Sequence, residues 1–165
     1  MITVLRYGHR VERDKRTTSH VGLVARAFGA DKFVVVSNDK SPVNTINDVT
    51  SRWGGEFKTE NIKDWRKFLK NFKGIRIHLT MYGLTLSESI EKIKSHKNED
   101  ILIFVGAEKV PADVYDICEY NVAVGSQPHS EIAALSIFLD RFTEGSWEKR
   151  EFRGAKLKIT PQKHQ

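Results

Sequence analysis

Short apolar runs separated by segments of helical period constrain the fold of this chain more than any other feature. The runs cover residues 2–5, 33–36, 75–81, 101–105 and 121–124. Strands that alternate with helices in this way form a mostly parallel sheet with helices packed on its faces. The sequence therefore predicts an α/β fold.

Apolar residues spaced three and four apart predict helices between the strands. Ser19, Asn61 and Ser130 stand where side chains would cap the first, third and last of them. Residues 151–160 alternate polar and apolar around Arg153-Gly154, which predicts a C-terminal β-hairpin. We expect one domain over residues 1–147, with residues 148–165 as an extension of it rather than a second domain.

The charge balance favours an anionic partner. Lys and Arg number 27 against 21 Asp and Glu, giving a net charge of +6. The single Cys118 excludes an internal disulfide, and no Cys/His group has zinc-ligand spacing, so no metal is expected. Charge at Arg6 comes too early for a signal peptide, and no uncharged apolar run approaches about 18 residues. We expect a cytoplasmic protein without a membrane partner.

Turn-rich loops follow three of the predicted strands. They are Leu79-Thr-Met-Tyr-Gly83, Gly106-Ala-Glu-Lys-Val-Pro111 and Val124-Gly-Ser-Gln-Pro-His129. Ligands of open α/β sheets bind beyond the carboxyl ends of strands, and glycines there let the main chain approach a planar ligand. Neither G-x-G-x-x-G after the first strand nor a P-loop is present, which argues against ordinary dinucleotide binding and nucleotide hydrolysis. The three loops predict one backbone-rich pocket.

Two of these segments resemble motifs of the SPOUT class of S-adenosylmethionine-dependent RNA methyltransferases. Phe104-Val-Gly-Ala-Glu-Lys-Val-Pro111 resembles the middle motif of the class, and residues 121–141 resemble the final one. Residues 5–30, together with Gly125-Ser-Gln-Pro-His-Ser-Glu131, are similar to the archaeal tRNA cytidine-56 2′-O-methyltransferases. The resemblance covers most of the chain. It implies a SPOUT-type fold whose C-terminal trefoil knot forms the cofactor pocket, and a homodimer that binds tRNA across both subunits.

The resemblance also implies the reaction, which is 2′-O-methylation of the ribose of cytidine 56 in the tRNA T-loop, with S-adenosyl-L-methionine as cofactor. Backbone groups of the three loops would hold most of the cofactor, and Glu108 would attract its positive end. The carboxylate of Glu131 is expected to interact favourably with the positive end of the dipole of its helix. The implied cofactor-binding residues are Leu79, Gly83, Gly106, Ala107, Glu108, Lys109, Val110, Val124, Gly125, Ser126, Gln127, Pro128, His129, Ser130 and Glu131.

The acceptor side is expected from a basic segment, predicted to be a loop ahead of the first helix. Arg16, and next Arg13, are the candidate catalytic residues, because a loop arginine would reach a pocket more easily than one inside a helix. A guanidinium stays protonated, so its expected role is to stabilise the developing alkoxide. RNA contacts are expected from four further cations, which are Arg10, Lys15, Lys156 and Lys158.

Several alternatives stay open at the level of sequence. In related enzymes one arginine of the opening motif is regarded as catalytic, and its position in this chain is ambiguous. Counting back from Ala27-Phe28-Gly29 places Leu23 at that position. Counting forward from His20, taken in place of the asparagine of the motif, places Arg26 there. His129 suits a packed or capping role as well as a ligand contact. The same fold also suits methylation of another RNA position or base atom. A non-catalytic RNA-binding module and a small-molecule α/β enzyme are the alternatives from other classes.

Overall fold

Six parallel strands form one sheet in the order β3-β2-β1-β5-β4-β6 in the computed structural model, which describes residues 1–107 and 109–164. The strands are β1 (Ile2–Tyr7), β2 (Lys32–Val36), β3 (Lys58–Ile62), β4 (Ile75–Thr85), β5 (Ile101–Gly106) and β6 (Tyr120–Ala123). The helices are α1 (Val11–Ala27), α2 (Ser41–Trp53), α3 (Trp65–Asn71), α4 (Leu86–Lys94), α5 (Asp113–Ile117) and α6 (Glu131–Thr143). A 3₁₀ turn at Ser146–Lys149 follows α6. The predicted α/β class is confirmed.

Both faces of the sheet are buried, which explains the continuous apolar runs in the sequence. Val4 and Ile103 contribute to the larger core, beneath α1, α2, α4 and α6. Leu5 and Phe104 point to the opposite face, where they pack against Trp65 and other residues of α3 and α5. None of the described helices combines the length and the hydrophobicity that a membrane span requires.

Helix α1 begins at Val11, nine residues earlier than the cap at Ser19 predicted, so the basic segment is helix and not loop. Asp14 accepts hydrogen bonds from the Arg10 backbone N–H at 3.1 Å and from Arg10 Nε at 2.7 Å, and this fixes the first turn. Ser19 lies inside the helix, where its hydroxyl donates to the Lys15 carbonyl at 3.0 Å. The first turn thus starts from an Arg–Asp pair rather than from a serine cap.

Two elements, β3 and α5, were not predicted. Strand β3 is mostly polar, as an edge strand can be, since β2 is its only described neighbour in the sheet. Asn61 was expected to cap the third helix, but it lies in β3 and its amide donates to the Ser37 and Asp39 carbonyls at 3.1 and 2.9 Å. Asp64 caps α3 instead, accepting from the Lys67 backbone N–H at 2.9 Å.

The predicted C-terminal hairpin does not form in the described tail, although a turn is present at Arg153-Gly154. The backbone N–H groups of Lys156 and Leu157 donate to the Arg52 carbonyl at the end of α2, at 2.9 and 3.1 Å. These N–H groups therefore bond the end of α2, and no described strand pairs with the tail. Arg150 anchors the start of the tail by donating to the Ala30 carbonyl at 3.0 Å.

Candidate active site

A cavity of about 810 Å³ lies at the carboxyl ends of β4, β5 and β6, where the three predicted loops converge. The fold explains this convergence, because β6 and β5 are the two neighbours of β4 in a parallel sheet. Ten of the predicted cofactor residues line the cavity: Leu79, Gly106, Ala107, Lys109, Val110, Val124, Gly125, His129, Ser130 and Glu131.

Other predicted cofactor residues lie elsewhere. Ser126, Gln127 and Pro128 are exposed and are not among the described lining residues. Glu108 lies outside the described residues. Gly83 also does not line the cavity, because it packs against β6 at an irregularity of β4, where both Leu79 and Leu84 are in register with Val122. The bulge between them projects Thr80, Met81 and Tyr82 to the cavity wall.

Gly83→Ala is expected to destabilise the protein by about 1–3 kcal/mol, as overpacking does. A Cβ at this position would lie 2.3 Å from the Asn121 carbonyl oxygen, so β6 and the cavity loop after it must shift. Urea unfolding and calorimetric titration with S-adenosylmethionine measure the two effects. Gly145→Ala is the control, because a Cβ there meets nothing within 4 Å and only its φ of 72° opposes the change. Wild-type stability and donor affinity in Gly83→Ala would contradict this account.

The sequence did not indicate a neutral polar network at the cavity wall. His78 is 1% exposed and its Nδ1 lies 3.0 Å from Asn121 Oδ1, while the Asn121 amide donates to the Tyr115 carbonyl at 3.0 Å. The Thr80 and Tyr115 hydroxyls lie 2.9 Å apart. Burial lowers the pKa of His78, which favours the neutral ring. The run 75–81 contains His78 and Thr80 among its apolar residues, but no local pattern in the sequence links them to Asn121 and Tyr115.

Arg6 and Glu131 form the ion pair that joins the central strand to the cavity wall. Arg6 Nη2 donates to Glu131 Oε1 at 2.7 Å, and the side chains are 0% and 29% exposed. Arg6 Nε and Nη1 are buried without a partner among the described residues. The Glu131 carboxylate therefore binds Arg6 in addition to its favourable interaction with the N-terminus of α6. In the sequence, a charge at the end of an apolar strand was the only signal for Arg6.

His129 closes the loop between β6 and α6. Its Nδ1 lies 3.0 Å from the Ser130 carbonyl oxygen, and its Nε2 bonds the Val124 carbonyl. Carbonyls only accept, so both ring nitrogens donate when the imidazole is protonated. The pKa of His129 is raised, chiefly by the Val124 carbonyl and then by that of Ser130. His129 both shapes the loop and lines the cavity, while Ser130 caps α6 as predicted, accepting from the Ile132 N–H at 3.2 Å.

The basic residues of α1 do not line the described cavity of their own chain. Arg13, Lys15 and Arg16 are exposed on the helix, and none forms an ion pair with a described residue. Arg10 holds Asp14, and hydrogen bonds from Arg10 are the main reason that the pKa of Asp14 is lowered. The candidate catalytic arginines are therefore available for contacts outside the chain.

Arg26, the alternative catalytic candidate to Arg13 and Arg16, holds parts of the fold together. It is 8% exposed, donates to the Gly54 carbonyl at 2.7 Å, and its guanidinium lies 4.6 Å from the ring centre of Phe152. It thus ties α1 to the end of α2 and to the tail.

Among the described residues, no group of three or more His, Cys, Asp or Glu side chains is arranged to hold a metal ion.

Comparison of the sequence with known proteins finds a matching family and similar relatives. Residues 53–165 match a family model described as tRNA ribose 2′-O-methyltransferase, aTrm56. A tRNA (cytidine(56)-2′-O)-methyltransferase of Pyrococcus horikoshii is 55% identical over 98% of this chain and 81% of its own length. One of Pyrococcus abyssi is 53% identical over 98% and 84%.

A solved structure supports the fold alone. An AdoMet-bound rRNA methyltransferase from Sinorhizobium meliloti superposes with a TM-score of 0.61 at 13% identity. The superposition covers 87% of this chain and 55% of that one. Since the family model matches more than half of the chain and the relatives match nearly all of it, the chain belongs to the tRNA ribose 2′-O-methyltransferase family aTrm56.

Proposed function

We propose that this chain transfers a methyl group from S-adenosylmethionine to the ribose 2′-hydroxyl of cytidine 56 in tRNA. The observation that carries the proposal is the convergence of three loops in one cavity, in a chain that matches this family over nearly its whole length. The net charge of +6 suits a polyanionic substrate.

The cavity suits the methyl donor. Its volume of about 810 Å³ is ample for a nucleoside-sized ligand, and main chain at Gly106 and Gly125 leaves room for a flat group. We assign donor binding to Leu79, to residues 106–110, including Glu108, and to residues 124–131. When bound, S-adenosylmethionine supplies an activated methyl group. The protein residues position the ribose hydroxyl and exclude water.

We assign the acceptor site to α1 of the other subunit in a homodimer. Arg13 and Arg16 are exposed and do not line the described cavity of their own chain, so a second copy would bring them to it. Val11 on α1 and Ile137 on α6 are 50% and 46% exposed, and these two helices pack together. This apolar exposure supports a self-association face. There Arg16, assisted by Arg13, stabilises the oxyanion developing at the 2′-oxygen, while Arg10 and Lys15 hold phosphates.

The resemblance supplies two finer features of the proposal. The final segment forms a trefoil knot at the cavity, and residues 148–165 extend the domain of residues 1–147. Contacts of the tail with the end of α2 support the second feature. The expected location is the cytoplasm, where tRNA is available.

The test uses labelled S-adenosylmethionine with two tRNA transcripts that differ only at position 56, one carrying cytidine and the other 2′-deoxycytidine. Label is expected in the first alone. Equal label in both would support methylation of another position or base atom. Retained tRNA binding without donor binding would support the non-catalytic RNA-binding module, and turnover of a small molecule alone would support a different α/β enzyme.

Lys156→Ala and Lys158→Ala are each expected to weaken tRNA binding and to reduce its logarithmic salt slope by about 1, with little change in donor affinity. Both lysines are exposed on the tail, which suits phosphate contacts. Filter binding at several salt concentrations measures the slope. Lys97→Ala, on the exposed turn after α4, is the control. An unchanged slope in both tail variants would remove the tail from the RNA surface.

A further inference from the structure

We infer that Glu131, held by Arg6, distinguishes the cationic methyl donor from the product by placing its carboxylate beside the sulfonium. The inference rests on the proposed function and adds a side-chain role to it. Glu131 would be a specificity-determining residue, and Arg6 a positioning residue that acts through it.

The first support is the fixed geometry of the carboxylate. Arg6 is fully buried on the central strand β1, and its Nη2 donates to Glu131 Oε1 at 2.7 Å. Glu131 is also the first residue of α6, after the Ser130 cap. One oxygen is therefore tied to a fully buried side chain on an inner strand of the sheet, while the Glu131 side chain keeps 29% exposure and lines the cavity.

The second support is the charge composition of the cavity. Among its described lining residues Glu131 is the only Asp or Glu, whereas Lys109 and His129 are the residues there that carry or acquire positive charge. A cation bound in this part of the cavity has Glu131 as its only described carboxylate. The other polar groups of the described wall are hydroxyls, main-chain groups and the buried His78.

The third support is the charge change of the reaction. Methyl transfer breaks the bond between the sulfonium and its methyl carbon and forms the bond from that carbon to the ribose oxygen, whose proton leaves to solvent or a phosphate. The sulfur leaves with the electron pair and becomes a neutral thioether. A carboxylate near this sulfur therefore attracts the donor more strongly than the product, which favours exchange of one for the other.

The test compares S-adenosylmethionine with S-adenosylhomocysteine, which share every charged group except the sulfonium. Calorimetry is performed on wild type and on Glu131→Gln, which keeps an oxygen acceptor for Arg6. The preference for the donor over the product is expected to fall about fivefold, the size expected for a partly exposed ion pair, with the product affinity unchanged. Sinefungin, which carries a protonated amine in place of the sulfonium, is expected to behave like the donor.

Three further variants make the test specific. Glu131→Asp, which keeps the charge, is expected to retain most of the preference. Arg6→Lys is expected to lower the preference, because a single ammonium holds the carboxylate less firmly than a guanidinium. Glu91→Gln makes the same charge change on an exposed helix face away from the cavity and is expected to change nothing.

Equal losses of donor and product affinity in Glu131→Gln, or no change in either, would overturn the inference and leave the proposed function intact. Equal losses for both ligands in Arg6→Lys would overturn the positioning role of Arg6. Absence of donor binding to the wild-type protein would overturn the proposed function and the inference together.

Discussion

Arg16→Ala is expected to lower the rate constant of methyl transfer by about 100-fold or more, with the dissociation constant of S-adenosylmethionine nearly unchanged. The size is that of removing one preorganised donor from a developing oxyanion. Arg16 is exposed on α1 and does not line the described cavity of its own chain, so donor binding should not depend on it. Single-turnover methylation and calorimetry measure the two quantities. Arg13→Ala is expected to act in the same direction with a smaller loss.

Lys15→Ala is the matched control, since it removes the neighbouring exposed cation on the same helix. It is expected to weaken tRNA binding without a comparable loss in the rate constant. Coexpression of Arg16→Ala with Gly83→Ala tests the proposed assignment across subunits, because in the proposed homodimer a mixed pair would combine one intact cavity with one intact α1. Recovery of activity is expected. Parallel losses of donor binding and rate in Arg16→Ala would contradict the proposed separation of donor and acceptor sites.

Glu131→Leu is expected to lower the free energy of unfolding by about 3 kcal/mol, because it leaves the buried Arg6 guanidinium without its hydrogen-bonded counter-charge. Arg6 is 0% exposed, and Nε and Nη1 already lack partners among the described residues, so Glu131 is its only described acceptor. The double variant Arg6→Met/Glu131→Leu is expected to recover most of this stability, since an apolar pair of similar size suits the same space. Urea unfolding measures each value.

A matched control removes a carboxylate from an exposed pair. On α4, Glu91 Oε1 lies 3.1 Å from Lys94 Nζ, and the Glu91 side chain is 79% exposed. Glu91→Leu is therefore expected to leave the free energy of unfolding nearly unchanged. If Glu131→Leu proved as stable as the wild type, or if the double variant were less stable than the single one, the ion pair would not have the role that its burial indicates.

The predictable part of the fold was the part whose pattern is local. The runs at residues 33–36 and 101–105 predicted strands because parallel strands are buried on both faces and need apolar residues throughout. Ser130 predicted the start of α6, because a capping hydroxyl bonds a backbone N–H two residues away. The loops that line the cavity followed from a general property of parallel sheets, namely that the carboxyl ends of their strands meet at one edge.

The unpredicted part depends on partners far away in the sequence. Arg6 is buried because it meets Glu131, 125 residues later, and Asn61 lies in a strand because its amide satisfies carbonyls near residue 38. No local pattern contains such a partner. The predicted start of α1 was wrong for a related reason, because the hydrogen bonds between Arg10 and Asp14 that fix its first turn are not evident in a basic segment of sequence. The predicted C-terminal hairpin was wrong because backbone N–H groups of the tail bond the end of α2.

The most direct test of this account is a crystal structure of the protein with S-adenosylhomocysteine. The ligand is expected to occupy the cavity at the carboxyl ends of β4, β5 and β6, in contact with main chain at Gly106 and Gly125 and with its sulfur on the side of Glu131. A ligand bound outside this cavity, or one that contacts neither glycine, would contradict it.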